Sequence, residues 1–544
     1  MLAATVPANP QSASTADDAC YLALKARDAR FDGHFFTGVT STGIYCRPVC
    51  RVRTPQRANC RFFALAAQAE AAGFRPCLRC RPELAPHAVG PTAGADAKAW
   101  STQDASQILA RQAAQLLDNP EPWSDGPPSM TALADRLGVS TRHVRRIFET
   151  HWGVSPLQYV QTRRLLVAKQ LLTDTPLPVA QVALLSGYAS VRRFNTAFAE
   201  HYRMEPRALR QSAKAHTPAP AAASHAALRL TAAYRPPYDV DAMLAFFAAR
   251  QIPGVESVDA TQRSLARTLS LTVGSTPLSG WVQMQFVPER HQVVLHISAS
   301  LAEALPLVLA RVRALLDLDA DPHAIQECLG ADFPDSEGLR VPGCLDGFEL
   351  AVRAVLGQQI TVRAACTLAA RLVERYGQPL TTPLPTLDRL FPTPQALCQA
   401  TPDDLGALGI VRQRQGAIVA LAQAVHSGAL QLYPGAPLAD TMAALQALPG
   451  IGPWTAHYIA MRALRWPDAF PSGDVALHKA LGVQDCAHPQ RAAEAASERW
   501  RPWRSYAVLR AWARLADPAA TPTPLRTAAE PTDPATNSHH SLSK

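Results

Sequence analysis

Five cysteines lie in a short stretch near the start of the chain, and four of them form two close pairs. Cys46 and Cys50 are spaced C-x3-C, Cys77 and Cys80 are spaced C-x2-C, and 26 residues separate the pairs. Each pair can span adjacent corners of a tetrahedron, the geometry that zinc adopts with thiolates. Cys60 has no close partner, and we do not expect it to bind the metal. The spacing predicts one Zn²⁺ in an intracellular four-cysteine site rather than a disulfide framework.

The residues around these cysteines suggest a reaction as well as a metal. Nearby arginines would place positive charge where DNA phosphate could approach; they are Arg47, Arg51, Arg53, Arg57, Arg61, Arg75, Arg79 and Arg81. The segments TGIYCRPVC and AGFRPCLRCRPE resemble the N-terminal domain of the Ada family of adaptive-response regulators. The resemblance implies that Cys46 accepts a methyl group from a methyl phosphotriester in the DNA backbone.

The chemistry of a four-thiolate centre is compatible with that role. Zinc keeps a thiol deprotonated at neutral pH, and the thiolate is the nucleophilic form. The unmethylated centre is formally dianionic, so methylation of one sulfur removes a negative charge and should raise the affinity for DNA. We expect a stoichiometric methyl transfer that also switches DNA binding.

A second candidate site lies towards the end of the chain. The segment LPGIG (448–452) joins two helical segments, and its glycines allow a tight turn whose N–H groups can bind a phosphate. This helix-hairpin-helix motif, with Leu448, Gly450 and Gly452 at the phosphate, indicates sequence-independent DNA binding. Asp474 follows in a loop rich in glycine and proline, which is the layout of base-excision glycosylases. The alternative is that Asp474 only caps a helix.

Several further segments favour the glycosylase interpretation. RPPYD (235–239), LRVPGCLDGFELAVRAVLGQQIT (339–361) and ERWRPWRSYAVLRAW (498–512) resemble the AlkA family of DNA-3-methyladenine glycosylases II, from about Leu228 to Leu515. The resemblance implies a small antiparallel sheet domain, then a two-part helical domain with the active site in the cleft.

The resemblance also assigns roles to individual side chains. Trp454, Tyr458 and Trp512 would line a pocket for a base that has left the stack, since aromatic faces favour cationic rings. Asp474 would stabilise the developing sugar cation and position water. Trp454 occupies the position of the Schiff-base lysine of lyase-type relatives, so we expect no imine and no strand cleavage. Gln359 stands where the AlkA pattern has a leucine that wedges into the base stack, which leaves the damage preference open.

Two motifs are absent from the sequence. No four-cysteine cluster follows the hairpin, so we expect no iron–sulfur cluster. No Pro-Cys-His-Arg tetrapeptide occurs, so we do not expect repair of alkylated guanine oxygens.

The segment between the two sites contains two helix-turn-helix patterns. Turns at Gly138 and Gly187 precede helices that begin near Ser140 and Ser190. The second helices would expose residues for reading DNA, namely Arg142, His143, Arg145, Arg146, Ser190, Arg192, Arg193 and Asn195. Val144, Ile147, Phe148, Phe194 and Phe198 would face the core. The stretch resembles AraC/XylS-type domains; the alternative is a helical connector that does not bind DNA.

Length and composition set the domain organisation. The 544 residues exceed one hydrophobic core, and the formal net charge of +9 favours a nucleic-acid partner. We expect a multidomain, mainly α protein with α+β parts: a small zinc-binding α/β domain, an all-α double helix-turn-helix domain, an antiparallel-sheet α+β domain and an all-α helix-hairpin-helix domain. The expected limits are 1–15 disordered, 16–90 zinc domain, 91–103 linker, 104–212 helix-turn-helix, 213–227 linker, 228–312 sheet domain, 313–516 helical domain and 517–544 disordered.

These features together predict a bifunctional regulator and glycosylase in the bacterial cytoplasm, associated with the nucleoid. Its partners would be alkylated DNA, a promoter and RNA polymerase; we expect a monomer and no membrane contact. One alternative is a transcription factor with a vestigial glycosylase module. The other is an enzyme whose front half only targets it to DNA. The intact Asp474, hairpin and aromatic residues favour the bifunctional protein over a transcription factor with a vestigial glycosylase. The two recognition helices argue against an enzyme whose front half only targets it to DNA.

Overall fold

The computed structural model describes residues 10–87, 102–119, 121–123, 128–216 and 227–516. The core of both expected linkers and the whole expected C-terminal tail lie outside these residues. Residues 10–15, which we expected to be disordered, instead form the first turns of a helix that extends to Ala26 and begins at Pro10, a residue that the first turn tolerates. In the described part of the chain, no helix is both long and apolar enough to cross a membrane.

The zinc module is a four-stranded mixed sheet with two helices. Its elements are α1 Pro10–Ala26, β1 Phe36–Val39, β2 Ile44–Cys46, β3 Cys60–Phe63, α2 Ala66–Ala71 and β4 Arg75–Pro76. The strand order is β3-β1-β2-β4, and only the β2–β4 pair is parallel. Cys46 ends β2 and Cys77 directly follows β4. The parallel pairing therefore brings the two cysteine pairs to one end of the sheet.

The second part is entirely helical in the residues that the structure describes. Its helices are α3 Thr102–Asp118, α4 Met130–Leu137, α5 Thr141–Trp152, α6 Pro156–Asp174, α7 Val179–Leu185, α8 Val191–Tyr202 and α9 Pro206–His216. The pairs α4–α5 and α7–α8 are the two predicted helix-turn-helix units. Ser140 and Ser190 cap α5 and α8, each accepting a backbone N–H bond. The predicted apolar residues of both helices are buried, which confirms their core face.

An antiparallel sheet domain follows, as predicted. Its elements are β5 Ala227–Ala233, α10 Val240–Ala248, β6 Glu256–Asp259, β7 Ser264–Val273, β8 Thr276–Val287, β9 Gln292–Ser298 and α11 Leu305–Leu315. The strand order is β5-β9-β8-β7-β6, with every neighbouring pair antiparallel. The expected domain limit between residues 312 and 313 is wrong, because it cuts α11. Val312 is fully buried in the core of the sheet domain, so α11 belongs to that domain.

The last part is the helical domain that carries the hairpin. Its helices are α12 Pro322–Leu329, α13 Gly347–Leu356, α14 Val362–Tyr376, α15 Pro394–Cys398, α16 Pro402–Ala407, α17 Arg412–His426, α18 Leu438–Ala447, α19 Pro453–Arg462, α20 Val475–Leu481, α21 Pro489–Ser497 and α22 Arg504–Ala516. They share one hydrophobic core, centred on the apolar helix α13. The hairpin lies between α18 and α19, and Asp474 directly precedes α20.

Candidate active site and candidate metal centre

Asp474 accepts three hydrogen bonds that fix its carboxylate. Oδ1 accepts the backbone N–H of Leu477 at 2.6 Å and the indole N–H of Trp512 at 3.1 Å. Oδ2 accepts the indole N–H of Trp454 at 2.8 Å. Asp474 is therefore the N-cap of α20 and also lies among the predicted pocket residues. The capping bond and the two indoles together hold a half-buried carboxylate in one orientation.

The three predicted aromatic residues meet beside this carboxylate. Trp454 and Tyr458 stack with ring centroids 5.4 Å apart, and Trp512 lies 6.3 Å from Tyr458 at 44°. The Tyr458 hydroxyl accepts a 2.7 Å hydrogen bond from the buried guanidinium of Arg462. Desolvation would raise the pKa of Tyr458, but Arg462 and Arg250 outweigh it and lower that pKa from its ordinary value. The site therefore combines one carboxylate with an electron-rich aromatic wall formed by Trp454, Tyr458 and Trp512.

The hairpin and the predicted wedge lie on neighbouring loops. Gly450 has φ +76, which a tight turn requires, and both Gly450 and Gly452 are exposed, whereas Leu448 is half-buried. Gln359 is also exposed and has φ +54, a conformation that favours glycine over glutamine. An exposed side chain held in this unfavourable conformation can project from the surface beside the hairpin.

Two residues that support this site were not predicted from the sequence. Gln358 donates from Nε2 to the Gly450 carbonyl and to the Thr455 hydroxyl, both at 2.9 Å, and so joins the wedge loop to the hairpin. Arg462 holds Tyr458. Arg462 stands four residues after Tyr458 on one helix, a spacing that could have revealed the contact. Gln358 has no such spacing signal.

The four predicted metal ligands converge. The sulfur atoms of Cys46, Cys50, Cys77 and Cys80 all lie within 4.8 Å of one another. A tetrahedron with Zn–S bonds of about 2.3 Å has sulfur–sulfur edges of about 3.8 Å, so the four thiols fit zinc. Cys60 is buried outside this cluster, where its thiol contacts the Gln56 carbonyl at 3.3 Å.

The expected basic field around the cysteines is only partly present. Arg47 is buried in an ion pair with Asp32 and donates to the Cys80 carbonyl at 3.0 Å. Arg81 pairs with Glu83 and Asp174. These two arginines therefore have structural roles, because their guanidinium groups are directed at protein acceptors. The arginines that remain exposed and available to phosphate are Arg51, Arg53, Arg61 and Arg79.

Of the eight predicted helix-turn-helix contacts, six are exposed as expected and two are half-buried. The exposed residues are Arg142, Arg145, Arg146, Ser190, Arg192 and Arg193. His143 is half-buried, and its Nδ1 lies 3.0 Å from Arg146 Nη2. Asn195 is not exposed as expected: it is half-buried and its Oδ1 is buried. Asn195 precedes Phe198 by three residues and therefore lies at the edge of the apolar face of α8.

Family models match four parts of the chain. Their descriptions are "Metal binding domain of Ada" at residues 19–83, "Helix-turn-helix domain" at 133–212, "AlkA N-terminal domain" at 227–346 and "HhH-GPD superfamily base excision DNA repair protein" at 352–505. The fold and the two sites thus define a base-excision glycosylase joined to zinc-binding and helix-turn-helix domains.

Curated relatives cover the same parts. The chain is 38% identical over 508 residues to the "Probable bifunctional transcriptional activator/DNA repair enzyme AlkA" of Mycobacterium tuberculosis, covering 92% of this chain and 96% of that protein. The chain therefore belongs to the same family as this bifunctional protein. It is also 38% identical to "DNA-3-methyladenine glycosylase 2" of Escherichia coli, over 51% of this chain and 95% of that protein. The "Bifunctional transcriptional activator/DNA repair enzyme Ada" of Escherichia coli is 36% identical over 27% of this chain and 36% of that protein.

Proposed function

We propose that this protein excises alkylated purines, of the 3-methyladenine type, from DNA by hydrolysing the N-glycosidic bond, with Asp474 as the catalytic residue. The observation that carries the proposal is the carboxylate of Asp474, held by Trp454 and Trp512 next to Tyr458. The resemblance of the chain to proteins named DNA-3-methyladenine glycosylase supports the choice of substrate.

The reaction follows from these side chains. A flipped alkylpurine carries positive charge, which the aromatic faces of Trp454, Tyr458 and Trp512 attract. The C1′–N bond breaks and its electron pair leaves with the base, which neutralises the purine. Asp474 stabilises the positive charge that develops on the sugar and orients the water that adds to C1′ and loses a proton. The hairpin residues Leu448, Gly450 and Gly452 bind the backbone, and Gln359 fills the gap in the stack.

The first test is release of bases from methylated duplex DNA by the full chain. We expect free 3-methyladenine, intact abasic sites and no adduct after treatment with borohydride, because Trp454 cannot form an imine. A trapped adduct would contradict the monofunctional reaction. No base release by a folded, DNA-binding protein would support the alternative of a transcription factor with a vestigial glycosylase module.

We further propose that Cys46, Cys50, Cys77 and Cys80 hold Zn²⁺ and that Cys46 accepts a methyl group from a DNA methyl phosphotriester. Bound zinc would keep the sulfurs deprotonated at neutral pH. The backbone N–H of Arg47 donates to the Cys80 sulfur at 3.3 Å, so that sulfur already accepts a hydrogen bond. The match to the metal-binding domain of Ada supports Cys46 as the acceptor. Its thiolate attacks the methyl carbon, the C–O bond breaks, and the phosphodiester leaves as an anion.

The test of the methyl acceptor uses DNA with labelled methyl phosphotriesters. Cys46→Ala should acquire no label yet retain base excision, because Asp474 lies in a different domain. The matched control is Cys60→Ala, which removes a buried thiol outside the cluster and should be labelled like the unmodified protein. Zinc content measured for both variants shows whether the metal site persists. Label on Cys46→Ala would assign the acceptor to another residue.

The helix-turn-helix part completes the proposed function. We infer that the exposed arginines of α5 and α8 read a promoter and that methylated Cys46 increases this binding, so that the protein activates transcription. Within this proposal the protein acts as a monomer on the nucleoid and contacts RNA polymerase. Alanine substitution of Arg142 or Arg192 should weaken promoter binding without altering base release.

A further inference from the structure

We propose that the antiparallel sheet domain has a second role as the docking platform for the zinc module and the second helix-turn-helix unit. The front half of the chain (residues before 217) and the rear half (residues after 226) would then stay assembled without their covalent connection. This inference concerns assembly, and it does not depend on the proposed reactions. It contradicts the picture of independent halves that a linker at 213–227 suggests.

An apolar core continues across the two halves. Helices α6 to α9 and the sheet domain contribute buried side chains to one cluster, among them Leu165, Leu172, Phe194 and Phe198 from the helices and Leu228, Leu230, Leu295 and Leu305 from the sheet domain. A helical unit that only touched the sheet domain would keep a separate core. Because apolar contact is insensitive to ionic strength, this part of the interface should survive high salt.

A buried polar contact fixes how α6 is positioned on the sheet domain. Gln170 of α6 donates from Nε2 to the Thr231 carbonyl of β5 at 2.8 Å, and both groups are buried. Lys169, the preceding residue, forms a buried ion pair with Glu83 of the zinc module. Neighbouring residues of α6 thus contact the sheet domain on one side and the zinc module on the other. Separation of the two halves would leave the buried Gln170 amide and the Thr231 carbonyl without partners, which is costly. The Lys169–Glu83 pair lies within the front half and ties α6 to the zinc module.

Arg235 makes three hydrogen bonds from the sheet domain to the zinc module. It is completely buried, and its guanidinium donates to carbonyl oxygens on both halves of the chain. Those acceptors are Asp32 at 2.8 Å, Pro86 at 3.3 Å and His87 at 2.9 Å in the zinc module, with Asp319 at 2.7 Å and Ala320 at 3.2 Å beyond the sheet. Desolvation lowers the pKa of Arg235 to about 10, so the side chain is still charged at neutral pH.

This contact reaches close to the candidate metal centre. Asp32, whose carbonyl Arg235 binds, forms an ion pair through its carboxylate with Arg47, the residue after Cys46. The backbone N–H of Arg47 in turn bonds to the Cys80 sulfur at 3.3 Å. The sheet domain therefore holds the zinc module next to the segment that carries the metal ligands, and not only at its periphery.

The test is cleavage of the connection in the full chain. A protease site is inserted between residues 217 and 226, the purified protein is cleaved, and the products are analysed by gel filtration at low and at high salt. We expect the two fragments to elute together at micromolar concentration in both conditions. Elution as separate fragments at low salt would overturn the proposal.

Variants of the cleaved protein identify the contacts responsible. Arg235→Gln should weaken association of the fragments at least tenfold, and Gln170→Ala should weaken it less. Arg491→Gln is the matched control, because it makes the same change at an exposed arginine of the same fragment, on α21. Release of alkylated bases by the intact Arg235→Gln chain shows that the glycosylase domain remains folded. Equal association of the Arg235 and Arg491 variants would remove Arg235 from the interface.

Discussion

The Trp454 indole donates a 2.8 Å hydrogen bond to Asp474 Oδ2, while its ring stacks on Tyr458 at an interplanar angle of 11°. One side chain thus joins the carboxylate to the aromatic wall. Trp454 belongs to α19, directly after the hairpin, and Asp474 precedes α20. The same helix therefore links the hairpin, the stacked aromatic residues and the carboxylate.

Asp474→Asn should abolish most base release and leave the fold and DNA binding intact. Asparagine caps a helix as well as aspartate does, so α20 should persist, but the negative charge opposite the developing sugar cation is lost. Loss of such electrostatic stabilisation typically costs about 10²–10³ in rate. Single-turnover excision and duplex binding measure the two effects. Asp485→Asn, an exposed neighbour, is the control, and unchanged excision by Asp474→Asn would remove Asp474 from catalysis.

Trp454→Phe separates the two contacts of this side chain. Phenylalanine keeps an aromatic face against Tyr458 but cannot donate to Asp474. A hydrogen bond to a charged group contributes about 1.5–3 kcal/mol, and partial exposure reduces this, so single-turnover excision should fall by about tenfold. Trp466→Phe makes the same change outside the site and should leave excision unchanged. A rate equal to that of the unmodified protein would show that the indole bond has no role.

Gln359 should show a trade between stability and activity. Glycine adopts φ +54 without strain, so Gln359→Gly should stabilise the protein by about 0.5–1 kcal/mol. It should also slow excision by roughly tenfold or more, because nothing then replaces the flipped base, whose extrusion costs a few kcal/mol. Gln359→Leu keeps a wedge and should retain excision without the gain in stability. Thermal unfolding and base release measure both; full activity of the glycine variant would argue against a wedge.

Glu70 predicts a pH dependence at the contact between the zinc module and α6. Its carboxylate accepts hydrogen bonds from Tyr45 at 3.0 Å and Thr162 at 2.6 Å, and desolvation raises the pKa of Glu70 to about 7. A raised pKa means that the folded state binds the proton more tightly than the unfolded state. The associated stability is complete below about pH 4.5 and is lost as the pH rises to about 7.

The pH experiment compares variants at matched conditions. Between pH 5 and pH 8 the unmodified protein should lose about 2–3 kcal/mol more stability than Glu70→Gln, whose amide does not titrate. Glu374→Gln, exposed on α14, should behave like the unmodified protein. Thermal unfolding followed at both pH values gives the comparison, and parallel profiles for all three proteins would exclude Glu70 as the titrating group.

Methylation of Cys46 should tighten promoter binding by the full chain. Loss of one negative charge at about 5–8 Å from a phosphate, at an effective dielectric near 20, changes the interaction energy by roughly 2–3 kcal/mol before screening. Salt reduces this to about tenfold in affinity. Binding to duplexes selected from a random pool, before and after methylation, measures the change at several salt concentrations. Equal affinity at low salt would leave a passive repair domain beside a constitutive DNA binder.

The sequence by itself determined the domain types and the positions of the two candidate sites, because these depend on local patterns. Two cysteine pairs, a Gly-rich hairpin and serine-capped helices are each readable over a few dozen residues. The two cysteine pairs meet because Cys46 ends β2, Cys77 follows β4, and these two strands run parallel. The sequence also allowed Asp474 to be only a helix cap. The structure shows that Asp474 caps α20 and accepts the two indole hydrogen bonds as well.

Only the tertiary structure decided how these parts contact one another. Arg47 and Arg81 looked like DNA contacts because the sequence shows their charge but not the distant Asp32 and Asp174 that bind them. Arg235 lies 203 residues from Asp32 along the chain, and no local sequence pattern predicts such a contact. A Pro- and Ala-rich connection predicts a linker between domains, yet apolar faces on α6 to α9 and on the sheet domain bury each other. Complementarity between distant surfaces is a property of three-dimensional shape, which residue spacing does not encode.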